Sequence, residues 1–384
     1  MRVLLLSDRS FATREHAMLR RLEIGLIDEG VRIVRASPLD SFAEPSTGLE
    51  GVLSYNDRAW RYIMPAPERT LARDLETLPL DARPDADEDP DVPVDLIHAF
   101  GDSAATVALD LTETLDCGVL IEVWSAALCA RMASVERRRR ILDQVGENAV
   151  WLAPDDAMLD AARRSATRWP VLPSRWGVHA ASGSRPPRAP NAPVSLGVLS
   201  SGLDPQGTLS FLEGLAQAAA AEPNILVFLD SAGVDRHPFI WRRVGELGLY
   251  DRLSVISDME SRRELILHAD VLVQPESRGE HRTVILEAMA SGVAVVARAD
   301  PLVECLHAPQ AITVLDHSVD SWRHTMSAVL SNVPSLAAVG DAGRTYARDC
   351  CSAHLQVSAT LDAYRTLCRS GALAIEPRSG STTG

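Results

Sequence analysis

The sequence predicts two doubly wound α/β domains facing a central cleft. Short, strongly apolar runs alternate with helix-period stretches almost from end to end. The alternation stops at residues 180–193, where Ser, Gly, Arg and Pro replace it, and then restarts. With 384 residues, 46% of them apolar, the chain is long enough to bury two cores.

In the first half, strand-like runs fall at residues 2–7, 31–36, 95–100, 119–123 and 149–153. Helical patterns lie between them, at about 14–29, 104–115, 134–145 and 155–165. Strands this short and apolar, joined by helices, imply a parallel sheet covered on both faces. Residues 38–94 break the rhythm and end in Asp85-Ala86-Asp87-Glu88-Asp89-Pro90-Asp91, read as a mobile acidic loop. After the linker, strands are expected at 194–199, 225–230, 253–256, 271–273, 293–297 and 312–315. Helices are expected at about 208–221, 238–247, 261–269, 283–290, 319–330 and 352–369. The domains are thus 1–179 and 194–350, with a C-terminal helix at 351–370 and an aperiodic tail at 371–384 expected to be disordered. In doubly wound sheets ligands sit at the carboxyl ends of the strands, so the inter-domain cleft is the expected site.

Composition removes several chemistries. All 38 basic residues are arginine, so lysine-dependent enzymes are excluded: Schiff-base and pyridoxal-phosphate enzymes and P-loop nucleotidases. A net charge of −14 argues against a nucleic-acid partner. No apolar run reaches the roughly 18 residues of a membrane span, and the first residues read as a strand rather than a signal peptide. The six cysteines lack metal-ligand spacing, which suggests reduced thiols in a cytoplasmic protein. Neither domain has the Gly-x-Gly-x-x-Gly of a dinucleotide site: Ser7-Asp8-Arg9-Ser10 follows one first strand and Ser200-Ser201-Gly202 the other. No Asp-x-Asp cluster marks a metal at a strand end.

Residues 269–297 carry the most specific pattern: a buried strand, a polar loop, a helix start, a glycine stop and a second buried strand. The free N–H groups and positive dipole end near Thr283 suit a phosphate. Glu287, about one turn into that helix, either accepts hydrogen bonds from a vicinal diol or is a helix-surface carboxylate.

This segment resembles the donor-site segment of the family 4 retaining glycosyltransferases (glycosyl transferases group 1). Its pattern there is roughly Pro-Ser-x-x-Glu-Gly-Phe-Gly-x-x-x-Leu-Glu-Ala-Met-Ala-x-Gly-x-Pro-Val-Val. The Leu-Glu-Ala-Met-Ala-x-Gly part stands intact at 286–292. Asp95-Leu96-Ile97-His98-Ala99, Trp176-Gly177-Val178-His179 and the stretch from Glu246 to Leu253 are similar to further family motifs. The resemblance implies the GT-B fold, two Rossmann-like domains, and transfer of a hexose from a nucleoside-diphosphate sugar to a hydroxyl acceptor with retention. The donor is a substrate, so no cofactor is implied; the acceptor is a glycan or lipid of unknown identity. By the resemblance Glu287 holds the ribose, the amides of Glu280 to Thr283 face the diphosphate, and the base packs near Ile256 and Ser257.

The same comparison exposes departures. The family's arginine and lysine after the second domain's first strand fall on Ser201, beside Gly202, and on Gln206. Its first motif glutamate falls on Gly279, with Glu280 one residue late. Its first-domain histidine falls on Trp124, which either stacks on a sugar or caps the sheet edge. Losing two diphosphate cations costs roughly 10²- to 10⁴-fold in rate unless replaced. Arg278 and Arg282, with guanidinium forks, His281 and Arg9 are the candidate replacements, each otherwise an ordinary surface group. Glu280 and Arg282 are the expected catalytic pair. A silent relative that binds a nucleotide or glycan, or acts as an interaction protein, is the alternative function. The run Arg137-Arg138-Arg139-Arg140 is a solvated helix face in preference to a membrane patch.

Overall fold

The computed structural model describes residues 1–39, 48–56, 66–78, 93–141, 148–166, 168–180, 185, 192–221, 224–257 and 263–373. The acidic loop at 85–91, nearly all of the 180–193 linker and most of the 371–384 tail lie outside them. The first domain holds β1 (Arg2–Ser7), α1 (Arg9–Arg14), α2 (His16–Asp28), β2 (Arg32–Pro38), β3 (Gly51–Tyr55), α3 (Pro67–Thr77), β4 (Leu96–Phe100), α4 (Asp102–Leu115), β5 (Gly118–Glu122), α5 (Ala126–Ile141), β6 (Ala149–Ala153), α6 (Asp156–Ser165) and β7 (Val171–Pro173). The second holds β8 (Val194–Val198), α7 (Pro205–Ala219), β9 (Ile225–Asp230), α8 (Ser231–Arg236), α9 (Phe239–Glu246), β10 (Leu253–Ile256), α10 (Arg263–His268), β11 (Val271–Gln274), α11 (Thr283–Ala290), β12 (Ala294–Arg298), β13 (Ile312–Val314), α12 (Val319–Ser331) and α13 (Leu336–Cys350). The chain closes with α14 (Ala353–Leu373).

Both sheets are parallel, in the orders β3-β2-β1-β4-β5-β6-β7 and β10-β9-β8-β11-β12-β13. Every residue of β1, β4, β5, β6 and β11 is buried, as strands covered on both faces require. Strand order reverses between β1 and β4 and between β8 and β11. Among the described residues no helix is long and apolar enough to cross a membrane.

The structure adds α1, β3, α3, β7, α8 and α13 to the expected elements and starts α5 at Ala126 instead of 134. The helix expected at 14–29 is α2, and a short helix, α1, precedes it. Asp8 caps α1 directly after β1 by accepting the Phe11 N–H (2.8 Å), and the chain turns at Glu15 before α2 begins. β3 and α3 fill part of the irregular 38–94 stretch; β3 is an edge strand with few buried positions, so it carries little apolar signal. Gly340, Gly343 and Ala347 make up much of the buried face of α13. A Cβ at Gly340 would lie 2.2 Å from the Gly292 carbonyl oxygen, so glycine is what lets this helix approach α11.

The chain crosses between domains twice, and the crossings bond to each other. Val178 N–H donates to Cys351 O (2.7 Å) and Ala353 N–H to Val178 O (3.2 Å). α14 then returns to the first domain, where Gln356 Oε1 accepts the Gly177 N–H (2.8 Å). Its Tyr364 hydroxyl meets buried His98 Nδ1 (2.9 Å); His98 Nε2 lies 3.2 Å from Glu122, which also accepts the Trp176 indole N–H (2.5 Å). α14 therefore follows the second domain in the chain but packs against the first.

Candidate functional site

Two loops of the second domain reach the cleft from the β8/β11 switch point. After β8, Ser200-Ser201-Gly202 leads to Asp204, which caps α7 by accepting the Gly207 N–H (3.0 Å). After β11, the loop from Pro275 leads into α11. A Cβ at Gly207 would lie 2.7 Å from the Pro275 carbonyl oxygen, so the two loops touch at the backbone. Glu276, almost fully buried, ties them together. Its carboxylate accepts from Ser200 Oγ (3.0 Å), Gly202 N–H (3.1 Å), Thr208 Oγ1 (3.4 Å) and the Ser201 hydroxyl. An internal anion thus holds the loop expected to face a diphosphate. Gly292 has a local role: at φ +74° it ends α11, with its N–H on Met289 O (2.8 Å) and the Val293 N–H on Ala288 O (2.9 Å).

The first domain meets this loop directly. Residues 124–126 run antiparallel to 279–281: His281 N–H donates to Trp124 O (2.9 Å) and Ala126 N–H to Gly279 O (3.0 Å). His281 Nε2 bonds Asp155 Oδ2 (2.7 Å), and Nδ1 lies 3.2 Å from the Trp124 carbonyl oxygen. Asp155 caps α6 and also accepts the Glu304 N–H (2.8 Å). Burial pushes its carboxyl up, but His281 and the N–H donors outweigh this and hold it below the ordinary value.

At the start of α11, Thr283, Glu287 and Glu280 have partners from one corner of the first domain, and Arg282 has its partner in the second. Thr283 N–H donates to Glu15 Oε2 (3.1 Å). Glu287 forms an ion pair with Arg21. Glu280 Oε2 lies 3.7 Å from Arg14 Nη1, and the Arg14 guanidinium sits 5.1 Å above the Trp124 ring. Burial pushes the Glu280 carboxyl up, partly offset by Arg14. Arg282 is buried, with Nη2 3.7 Å from Asp230 Oδ2. Burial lowers its guanidinium to about 10 despite Asp230, so it remains a cation at neutral pH. The Asp230 carboxyl is raised by burial, with Arg282 opposing.

The structure therefore brings Glu280, His281, Arg282, Thr283, Glu287, Ser201, Gly202 and Trp124 to one cleft. Trp124 is buried against Phe11 (5.7 Å between ring centroids) and under Arg14. Ile256 and Ser257 end the edge strand β10, two strands away from β8. Arg9 donates to Leu39 O (2.9 Å) and exposed Arg278 to Leu203 O (2.6 Å). Exposed Gln206 lies on the first turn of α7. Of the basic run, Arg137 and Arg138 are exposed, while the preceding Glu136 is buried and accepts the Trp169 N–H (3.0 Å). Glu276, Arg14, Glu15, Arg21 and Asp155 contact the candidate residues, and no motif singled them out. The only local hint was a helix N-cap pattern for Asp155, Asp-Asp before an apolar-periodic stretch. Among the described residues no group of three or more His, Cys, Asp or Glu is placed to hold a metal ion.

No protein-family model matches the sequence, and no curated protein matches it. Solved structures do match over nearly the whole chain. HepE from Anabaena, in complex with UDP and glucose, has a TM-score of 0.67 at 14% identity, over 94% of this chain and 100% of its own. Sucrose-phosphate synthase from Thermosynechococcus elongatus has a TM-score of 0.71 at 16% identity, over 96% of this chain and 100% of its own. An O-GlcNAc transferase from Thermobaculum terrenum has a TM-score of 0.59 at 13% identity, over 98% of this chain and 69% of its own. The chain has the GT-B glycosyltransferase fold: two Rossmann-like parallel-sheet domains around one cleft.

Proposed function

We propose that the chain is a nucleotide-sugar-dependent glycosyltransferase that moves a hexose to a hydroxyl acceptor with retention. The observation that carries this is the start of α11, where Thr283, Arg282 and Glu287 converge at the second domain's switch point and face the first domain. Glu287 accepts hydrogen bonds from the ribose, and the Glu280–Thr283 backbone and the Arg282 cation take the diphosphate. Charge developing on the leaving diphosphate is stabilised by these groups, and a phosphate oxygen takes the acceptor's proton. In this reading Glu280, which faces Arg14 of the first domain, takes the sugar hydroxyls. Because HepE holds UDP, uridine nucleotides are the first to try. The acceptor, a glycan or lipid, enters from the first-domain side.

One observation favours a second reading, a silent nucleotide or glycan binder. Glu276 puts a buried carboxylate on the Ser200–Gly202 loop, and Ser201 and Gln206 supply no cation there. A melting-temperature panel with UDP, GDP, ADP and their hexose conjugates tests binding. A ligand at about 100 times its Kd stabilises the native state by roughly 2.7 kcal/mol. No shift with any of them removes the nucleotide site. A shift without release of nucleoside diphosphate from the sugar conjugate, across an acceptor panel, supports the silent binder.

A further inference from the structure

Arg14, Glu15 and Arg21 lie at the corner where α1 turns into α2, and each engages a different group of the α11 segment. Glu15 Oε2 accepts the Thr283 N–H (3.1 Å), Arg21 pairs with Glu287, and Arg14 lies 3.7 Å from Glu280. We propose that this corner is a built-in occupant of the nucleotide subsite. Glu15 stands where a phosphate anion would sit, Arg21 covers the ribose carboxylate, and a nucleotide binds by displacing both.

The chemistry supports competition. A helix N-terminus attracts one anion, and a carboxylate and a phosphate on the same amide repel each other. Glu287 held by a guanidinium has its acceptor oxygen committed to a cation instead of a neutral diol. The occupant also fits imperfectly. Thr283 Oγ1, on a residue 0% exposed, and Trp124 Nε1, also buried, have no hydrogen-bond partner among the described residues. Buried donors left unpaired favour a ligand that supplies more acceptor oxygens, and a phosphate has more than a carboxylate. α11 is eight residues long, enough for a helix end with free amides.

This assignment rests on the donor site proposed above, so its test needs one readout that involves no nucleotide. Glu15→Gln removes the anion and keeps the volume; Arg21→Gln removes the cation. In the full chain, calorimetry with UDP, GDP and ADP is expected to show about 10- to 100-fold tighter binding by the double variant than by wild type. Arg21→Lys, which keeps the charge, stays near wild type. Without ligand, amide exchange over residues 281–286 is expected to accelerate in the double variant and to slow again with nucleotide. Unchanged or weaker nucleotide binding by a double variant with wild-type circular dichroism overturns the proposal and leaves the donor site standing. Faster exchange with no nucleotide bound by any variant shows that the corner covers the helix end but competes with nothing. That outcome overturns the donor site and the competition together.

Discussion

Glu287→Gln separates the roles of this carboxylate. From sequence alone the swap would leave melting almost unchanged, because the shape is kept. The ion pair with Arg21 alters that expectation. The two side chains are 12% and 16% exposed, between the surface pairs worth about 0–1 kcal/mol and the buried pairs whose breakage costs about 3–5 kcal/mol. A loss of about 1–3 kcal/mol lowers the melting temperature by roughly 2–12 °C for domains of this size. In the same variant, loss of one charge-assisted hydrogen bond to a ribose hydroxyl raises the nucleotide Kd about 10- to 150-fold. Calorimetry measures the affinity and a thermal scan the stability. A 2′,3′-dideoxynucleotide is expected to bind wild type and variant about equally, since the discriminating hydroxyls are gone. Arg21→Gln provides the contrast: it destabilises in the same direction but tightens nucleotide binding. Should Glu287→Gln bind nucleotide as tightly as wild type, Glu287 is only the partner of Arg21, and no ribose site lies on α11.

Arg282→Ala is expected to weaken UDP binding about 10- to 150-fold and uridine binding by less than about threefold, because the cation's proposed partner is the diphosphate; equal losses in titration calorimetry would mean that Arg282 acts through its buried contact with Asp230. Gly177→Ala places a Cβ 2.5 Å from the Ser352 carbonyl oxygen at the domain crossing, a backbone clash expected to cost roughly 1–3 kcal/mol in urea unfolding; an unchanged midpoint would show that the crossing yields freely. Asp155→Asn removes a carboxyl whose folded value lies below the ordinary 3.8, so its stabilisation is present above that pH and vanishes as the pH falls through the lowered value. The gap in urea midpoint between wild type and Asp155→Asn is therefore expected near neutrality and to close below about pH 3.8; a gap independent of pH would assign Asp155 a steric role.

What the residues alone determined was local. β1, β6, β9, β10 and α11 begin and end where their apolar runs do; in β1, β6 and α11, buried almost throughout, this is because each covered position must be apolar. The α11 segment was legible down to Gly292, whose positive φ makes the helix stop a property of that residue. Beyond such runs the signal fades. The small-residue face of α13 packs by the absence of side chains, and edge strand β3 buries too little to show a period. The partners within the cleft were decided only by the tertiary structure. Arg21 meets Glu287 across 266 residues, Glu15 meets Thr283 across 268, and His281 meets Asp155 across 126. Glu15 and Arg21 read as ordinary charges on an amphipathic helix, since nothing in the α1–α2 sequence says what the second domain sets against it. The reason is physical: burial of an apolar side chain is favourable against almost any neighbour, so a run of them specifies its element alone. A charge gains only from one partner in one geometry, and here that partner comes from the other domain.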